Sequence, residues 1–145
     1  MKNKFILLDR DGVINVEKNY LHRIEEFEYE KNVVSGLAKL RDLGYKFVII
    51  TNQAGIAKGF YSEEDYFKLQ KFIEEDLRKK GIKIEKSYFC PHHPDGIGKY
   101  KKNCECRKPN TKNFELAIKE FENKYWYMTE LKALAKSLEL PFDSK

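Results

Sequence analysis

Two short, continuous runs of apolar residues constrain the fold of this chain more than any other feature. Residues 5–8 and residues 47–50 each contain four apolar side chains with no polar interruption. Such runs are typical of strands in a parallel sheet that is covered by helices on both faces. Between them, apolar residues recur at helical spacing from Val33 to Leu43, and Gly44 stands where helices commonly end. This segment predicts a strand, a helix and a second strand.

Strands and helices are predicted to alternate along the rest of the chain. Ser62 followed by Asp65 indicates the start of a helix that ends at Gly81. The remaining predicted elements are a strand at residues 87–89, a helix that Thr111 caps, a strand at residues 125–128 and a helix at residues 131–138. Alternation of this kind predicts an α/β fold with a Rossmann-like open, mostly parallel sheet. A length of 145 residues favours a single domain over residues 1–145.

Composition excludes several classes of protein. The longest apolar run has four residues, whereas a helix that crosses a bilayer needs about 20. Asp9, Arg10 and Asp11 interrupt the first run too early for a signal peptide. Basic residues exceed acidic ones by 28 to 23, but the two kinds are interspersed and form no long basic stripe with stacking aromatic rings. We expect a soluble, cytoplasmic, monomeric protein with no membrane or nucleic-acid partner.

Two carboxylates follow the first predicted strand. Asp9 and Asp11 are separated by one residue, and Gly12 allows the backbone to turn sharply after them. One carboxylate could attack an electrophile while the other transfers a proton, and both could help to hold Mg²⁺. The alternative is an ordinary turn rich in Asp and Gly.

A polar loop rich in hydrogen-bond donors follows the second predicted strand. Residues 51–59 combine a hydroxyl group, side-chain amides, two glycines and a lysine. Donors, a backbone nest and positive charge are what a phosphate group binds. The alternative is a polar connection between a strand and a helix. Because the carboxyl ends of parallel strands meet at one edge, we expect this loop and the two carboxylates to lie together.

All three cysteines of the chain lie in one short stretch. Cys90 is followed by His92 and His93, and Cys104 and Cys106 form a second close pair. Three thiols and one imidazole are the ligand set of a tetrahedral, structural Zn²⁺ site, which leaves no open position for catalysis. Either histidine could supply the imidazole. We expect the ion to fix a loop at the mouth of the site, with Lys99, Lys101 and Lys102 near an anionic substrate, and His22 to be a surface or loop residue.

Three motifs together resemble the haloacid dehalogenase superfamily of phosphatases. They are residues 8–15, residues 51–59 and the Cys-Pro-His-His segment that starts at Cys90, and the likeness runs from residue 4 to residue 109. Within the superfamily, the second and third motifs are similar to those of heptose bisphosphate phosphatases. The resemblance implies a fold without a large cap domain. It also implies release of the 7-phosphate of heptose 1,7-bisphosphate, a small phosphorylated sugar, and His92 as the fourth zinc ligand.

The resemblance also implies a role for individual residues. Asp9 is then the nucleophile that forms an aspartyl phosphate, and Asp11 is the general acid and base. Mg²⁺ is bound by the Asp9 carboxylate and the Asp11 backbone carbonyl. The residues that bind phosphate or the rest of the substrate are Thr51, Asn52, Gln53, Arg107 and Lys108.

The chain departs from this family pattern at one place. A Gly-Asp pair that completes the magnesium site in the family is absent from residues 125–130, where only Glu130 carries a carboxylate. The chain also looks short at its C-terminal end. This absence leaves open a phosphosugar-binding protein with impaired catalysis. A histidinol-phosphate phosphatase is an alternative with the same chemistry, and the basic charge balance suggests processing or binding of nucleic-acid 3′-phosphates, against which the lack of a basic stripe speaks.

Overall fold

The computed structural model describes residues 4–121 and the backbone of residues 126–127, which form a parallel sheet with helices on both faces. The strands are β1 (Lys4–Leu8), β2 (Tyr45–Asn52), β3 (Ile84–Cys90) and β4 (Trp126–Tyr127). The helices are α1 (Val33–Asp42), α2 (Ala54–Ala57), α3 (Glu63–Lys79) and α4 (Lys112–Glu120). The strand order is β3-β2-β1-β4, and every pairing is parallel. The predicted open parallel sheet is confirmed.

The apolar runs are continuous because both faces of the sheet are buried. Successive side chains of a strand point to opposite faces. In β1, Ile6 and Leu8 pack with α1 and α3, whereas Phe5 and Leu7 pack with Ala117 of α4 on the other face. Burial of each such aliphatic side chain contributes about 1.5–3 kcal/mol to the free energy of unfolding. The two central strands, β1 and β2, therefore fix the position of the loops that follow their carboxyl ends.

Local sequence signals determine where the longer helices begin and end. Asp65 N–H donates to Ser62 Oγ at 3.1 Å, and Ser62 N–H donates to the Asp65 carboxylate at 3.0 Å, which completes the predicted capping box. Gly44 and Gly81 follow α1 and α3 with φ of +94° and +85°. A glycine adopts this left-handed conformation without the steric cost that a side chain would add.

Two local features differ from the sequence prediction. The loop after β2 contains a short helix, α2, which the sequence analysis did not predict. Thr111 precedes α4 as expected, but its hydroxyl group donates to the Glu115 carboxylate and accepts no backbone N–H. The ψ of Thr111 is 5°, whereas a capping residue typically has an extended backbone.

The predicted last strand is confirmed over the backbone of residues 126–127, which pairs with Ile6 and Leu7 of β1. The predicted helix at residues 131–138 and Glu130 lie outside the described residues. Within residues 4–121, no helix has the length and apolar character that crossing a bilayer requires.

The carboxyl ends of the strands bring the predicted site residues to one edge. Asp9 follows the last residue of β1, and Asn52 and Cys90 are register partners at the ends of β2 and β3. The chain then returns from β3 to α4 through residues 91–111, across the same edge. Ligand sites of open parallel sheets lie at this position.

Candidate active site and metal centre

Asp9 makes a close ion pair at the end of β1. Its Oδ1 atom lies 2.9 Å from Lys108 Nζ and accepts a 2.9 Å hydrogen bond from the backbone N–H of Arg10. The Asp9 side chain is about one-third exposed, at 32%, whereas the Lys108 side chain is 14% exposed. Within the described residues, no donor reaches Asp9 Oδ2, so one oxygen is held while the other is free to react.

Asp11 is enclosed by donors from three parts of the chain. Its Oδ1 atom accepts from Arg10 Nε at 3.1 Å, Arg10 Nη2 at 3.0 Å and Asn15 Nδ2 at 3.0 Å. Its Oδ2 atom accepts from Gln53 Nε2 at 3.2 Å. Four hydrogen bonds from three side chains therefore fix the orientation of the Asp11 carboxylate.

Arg10 is a member of this site that the sequence analysis missed. Its side chain is fully buried, a rare location for a guanidinium without partners. Besides Asp11, it donates to Gln70 Oε1 at 3.2 Å and lies 5.9 Å from the centre of the Tyr66 ring. A buried charge needs such pairing because its desolvation is costly. The only signal in the sequence was its place between two carboxylates.

The end of β2 positions Lys108. Asn52 Oδ1 accepts from the Lys108 backbone N–H at 2.9 Å, and Asn52 Nδ2 donates to the Lys108 carbonyl at 3.2 Å. The Lys108 ammonium group also donates to the Ile50 carbonyl at 2.9 Å. Thus Asn52 holds the backbone of Lys108 while its side chain reaches Asp9. Both the oxygen and the nitrogen of the Asn52 amide are therefore engaged with the Lys108 backbone.

Thr51 and Gln53 are almost fully buried, at 1% and 2% exposed. Thr51 Oγ1 accepts from Gln53 Nε2 at 2.9 Å, and Gln53 Oε1 accepts from the hydroxyl group of Tyr61. Gln53 is therefore directed at Asp11 and Thr51 inside the protein. Tyr61 is a second residue of the site that the sequence analysis did not single out.

Two cavities open on this edge, and Asn52 lines both. A cavity of about 620 Å³ contains Asp9 and Lys108 in its wall, next to apolar side chains of α4. A second cavity of about 740 Å³ contains Asp11 and Arg107. The remaining residues that line the second cavity are Glu17, Lys18, Asn19, Tyr20, Gln53, Ala54 and Tyr61. Except for the buried Thr51, the predicted site residues at this edge therefore line space large enough for a small ligand.

The four predicted zinc ligands converge next to this edge. The ligand atoms of Cys90, His92, Cys104 and Cys106 all lie within 4.8 Å of one another. The three Sγ atoms are 2.8–3.3 Å apart, which is too long for a disulfide bond. His92 Nδ1 lies 3.4 Å from Cys106 Sγ. Three thiols and one imidazole that converge in this way are the ligand set of a tetrahedral metal site.

Burial influences the protonation of these groups. It raises the pKa of the Cys90 and Cys106 thiols and lowers the pKa of the His92 imidazole. Burial also opposes ionisation of Cys104, but hydrogen bonds from Cys90 and Cys106 outweigh it and lower the pKa of that thiol. A neutral imidazole is the form that binds metal, and a bound cation would favour ionisation of the two thiols whose pKa is raised.

The loop between the Cys90–His92 pair and the Cys104–Cys106 pair turns His93 away from the ligands. His93 Nδ1 accepts from the Asp95 backbone N–H at 2.9 Å, and the backbone of His93 pairs with Lys101. Lys99, Lys101 and Lys102 are exposed on this loop, and none of the three lines either cavity described above. His22 is a half-buried loop residue whose ring stacks on Tyr61 at 4.9 Å.

Comparison with known proteins places this arrangement among phosphatases. The family model described as polynucleotide kinase 3 phosphatase matches residues 4–134. The chain is similar to D-glycero-alpha-D-manno-heptose-1,7-bisphosphate 7-phosphatase of Photorhabdus laumondii, with 53% identity over 83% of this chain and 66% of that protein. It is also similar to D-glycero-beta-D-manno-heptose-1,7-bisphosphate 7-phosphatase of Haemophilus influenzae, with 40% identity over 83% of this chain and 65% of that protein. The match thus spans just under two-thirds of the length of these relatives.

A solved structure shares the fold. The D,D-heptose 1,7-bisphosphate phosphatase of B. bronchiseptica, complexed with magnesium and phosphate, superposes with a TM-score of 0.76. The superposition covers 94% of this chain and 98% of that one, at 19% sequence identity. The predicted likeness to haloacid dehalogenase-type phosphatases is confirmed by these comparisons.

Proposed function

This chain belongs to the polynucleotide kinase 3 phosphatase family of haloacid dehalogenase-like phosphatases, and we propose that it releases the 7-phosphate of D-glycero-D-manno-heptose 1,7-bisphosphate. The observation that carries the proposal is the paired arrangement of Asp9 with Lys108 and of Asp11 with Arg10, at the sheet edge where two cavities open. The names of the relatives support the choice of sugar. In this proposal the chain acts as a monomer in the cytoplasm.

Asp9 performs the first step. A carboxylate oxygen of Asp9 attacks the phosphorus atom, a P–O bond forms, and the bond from phosphorus to the sugar oxygen breaks. Asp11, when protonated, gives its proton to that departing oxygen. Asp11 then accepts a proton from a water molecule that attacks the phosphorus of the aspartyl phosphate, which releases inorganic phosphate and restores Asp9.

Positive charge and donors on the phosphate assist both steps. The Lys108 ammonium group, held by Asn52 and next to Asp9, neutralises charge on the transferring phosphoryl group. Thr51 donates to a phosphate oxygen in this proposal. Arg107 lines the larger cavity, where its guanidinium is suited to a second phosphate or to sugar hydroxyls.

Two metal ions complete the proposal. Asp9 and the Asp11 carbonyl supply oxygen ligands of the kind that Mg²⁺ prefers, and Asp9 Oδ2 has no donor among the described residues. When bound, Mg²⁺ supplies positive charge to the phosphoryl group. Zn²⁺ in the cluster of Cys90, His92, Cys104 and Cys106 is structural, because four protein ligands leave no open position.

A substrate panel tests the proposal. Phosphate release is measured with the alpha and beta anomers of heptose 1,7-bisphosphate, with histidinol phosphate and with a 3′-phosphorylated oligonucleotide, while Mg²⁺ is titrated from zero. We expect release of one phosphate per heptose molecule and an increase with Mg²⁺. Preference for histidinol phosphate or for the oligonucleotide would replace the substrate assignment. Binding without turnover by folded protein would indicate a phosphosugar-binding protein.

The variant Asp9→Asn tests the nucleophile assignment, because it replaces the carboxylate with an amide of the same size. Loss of a nucleophile typically costs about 10⁴-fold or more in kcat, so release should fall to background while circular dichroism and zinc content stay unchanged. Turnover by this variant at the wild-type rate would refute the nucleophile assignment.

A further inference from the structure

We infer that Tyr61 is a positioning residue, which acts through Gln53 to orient the carboxylate of Asp11 for proton transfer. The inference rests on the proposed function, since it concerns the same site. Tyr61 is buried, and its hydroxyl group donates to Gln53 Oε1. Gln53 Nε2 in turn donates to Asp11 Oδ2 at 3.2 Å. The chain of contacts thus links a residue of the loop before α3 to the proposed acid and base.

The hydroxyl group of Tyr61 decides which way the Gln53 amide faces. A side-chain amide has one oxygen that accepts and one nitrogen that donates. If the amide rotated by half a turn, its oxygen would face the Asp11 carboxylate, and two acceptors would oppose each other. Because the Tyr61 hydroxyl donates to the amide oxygen, it favours the orientation in which the nitrogen faces Asp11. Burial raises the pKa of Tyr61 above its ordinary value, so this hydroxyl stays a donor.

The Tyr61 ring is itself held by two neighbours. A Cβ atom added at Gly55 would clash with the ring, so only glycine allows this close approach. The ring of His22 also stacks on Tyr61, with 8° between the planes. A buried aromatic ring with such neighbours loses little further freedom when its hydroxyl group makes a hydrogen bond. The geometry therefore fixes the donor before a substrate binds.

The two oxygens of Asp11 differ in how they are held. Oδ1 accepts from Arg10 and Asn15, so three hydrogen bonds hold that side. Oδ2 accepts only from Gln53 among the described residues. Oδ2 is therefore the oxygen with the freer lone pairs and the better candidate for proton transfer. Its direction depends on the one amide that Tyr61 orients.

This role predicts a dependence on the leaving group. An alkoxide such as a sugar oxygen needs a proton as it departs, whereas p-nitrophenolate leaves as a stable anion. A misdirected Asp11 should therefore slow the transfer from a sugar phosphate more than the transfer from p-nitrophenyl phosphate. The ratio kcat/KM reports the steps up to the first irreversible one, here formation of the aspartyl phosphate.

The test compares Tyr61→Phe with wild-type protein on heptose 1,7-bisphosphate and on p-nitrophenyl phosphate. General acid catalysis contributes about 10²–10⁴-fold, so we expect kcat/KM on the sugar phosphate to fall by about 10- to 100-fold, but by less than about threefold on the aryl phosphate. The control is Tyr88→Phe, which removes a tyrosine hydroxyl that donates to Glu120 away from this edge. That control should leave both activities unchanged.

A double-mutant cycle keeps the inference testable if one variant folds poorly. Gln53→Leu alone should reproduce the dependence on the leaving group, and adding Tyr61→Phe to it should cause no further loss on the sugar phosphate. Equal losses on both substrates, additive losses in the cycle, or no loss in Tyr61→Phe would each overturn the inference. If wild-type protein hydrolyses neither substrate, the proposed function fails and the inference fails with it.

Discussion

The carboxylate edge, formed by Asp9 and Asp11, and the cysteine cluster, formed by Cys90, His92, Cys104 and Cys106, are neighbours that are held together differently. The chain itself supplies donors to both carboxylates, among them the buried Arg10 guanidinium and the Lys108 ammonium group. In the cluster, three thiols and one imidazole offer each other only weak hydrogen bonds. The folded chain alone organises the first region, whereas the second offers the ligand set of a metal ion.

The two regions are joined through the chain. Cys106 belongs to the cluster, and Lys108 follows it by two residues and reaches Asp9. Asn52, which holds the Lys108 backbone, is also the register partner of Cys90, so β2 ends beside a cluster ligand. The comparison therefore predicts that changes to the edge affect activity, while changes to the cluster affect stability first and activity second.

Among the changes that compare the two regions, the largest effect is expected from Lys108→Met, which removes the cation but keeps a long side chain. Loss of an electrostatic stabiliser of the transition state typically costs 10²–10³-fold, so kcat/KM should fall by about that factor. Zinc content should stay unchanged because no cluster ligand is altered. Phosphate-release kinetics and metal analysis measure the two effects, and Lys112→Met at the exposed start of α4 is the matched control.

Two outcomes would break the separation at Lys108. Zinc loss in Lys108→Met would mean that the Asp9–Lys108 pair supports the cluster. An unchanged kcat/KM would mean that Lys108 plays no electrostatic role in the reaction.

A smaller effect is expected from the cluster, where two adjacent histidines provide a matched pair. His92→Ala removes a ligand atom, so zinc should be lost and Tm should fall by about 10 °C, which corresponds to roughly 3 kcal/mol in a domain of this size. His93→Ala should retain zinc, because the His93 ring accepts from the Asp95 backbone instead. Metal analysis and thermal unfolding distinguish the two variants.

The same pair of variants shows how far the cluster influences the edge. If His92→Ala loses zinc and the remaining folded protein keeps full activity, the link through residues 106–108 carries no functional coupling. Zinc loss in His93→Ala, together with zinc retention in His92→Ala, would show that His93 and not His92 is the zinc ligand.

The smallest effect is expected at Asp76, which belongs to neither region and so provides a baseline for an exposed ion pair. A hydrogen bond from Lys80, and a second one from Tyr29, lower the pKa of Asp76. The lowered pKa contributes stability above the ordinary value of 3.8, and that contribution is lost as pH falls through the folded-state value. Asp76→Asn should therefore reduce stability at pH 7 by less than about 1 kcal/mol.

Urea unfolding at several pH values measures this baseline. The difference between wild-type protein and Asp76→Asn should shrink as the pH falls below 3.8. A difference of the same size at pH 7 and at low pH would show that the substitution acts through packing and not through the charge.

The contrast between the two regions also explains what the sequence could predict. All four cluster ligands fall between residues 90 and 106, so their spacing along the sequence predicts the cluster. The strands were equally visible, because burial on both faces leaves continuous apolar runs. The choice of His92 over His93 rested on family resemblance, and the cluster geometry now agrees with it.

The partners of Asp11 could not be predicted in the same way. Gln53 is 42 residues from Asp11, and the contact between Arg10 and Gln70 spans 60 residues. No local spacing signals such contacts, because they depend on how the strands and helices pack. Arginine is typically a surface residue and tyrosine an ordinary aromatic residue of the core, so the residue types of Arg10 and Tyr61 do not signal a site. Only the three-dimensional arrangement distinguishes them.

Gly55 shows how a constraint from packing can look like one from chemistry. It touches no proposed reacting group, yet any side chain at this position would push the Tyr61 ring away from Gln53. A scan of all single substitutions would then score Gly55 as sensitive to substitution, although it takes no part in the proposed chemistry. In a set of natural variants, Gly55 and Tyr61 should accordingly change together or remain unchanged together.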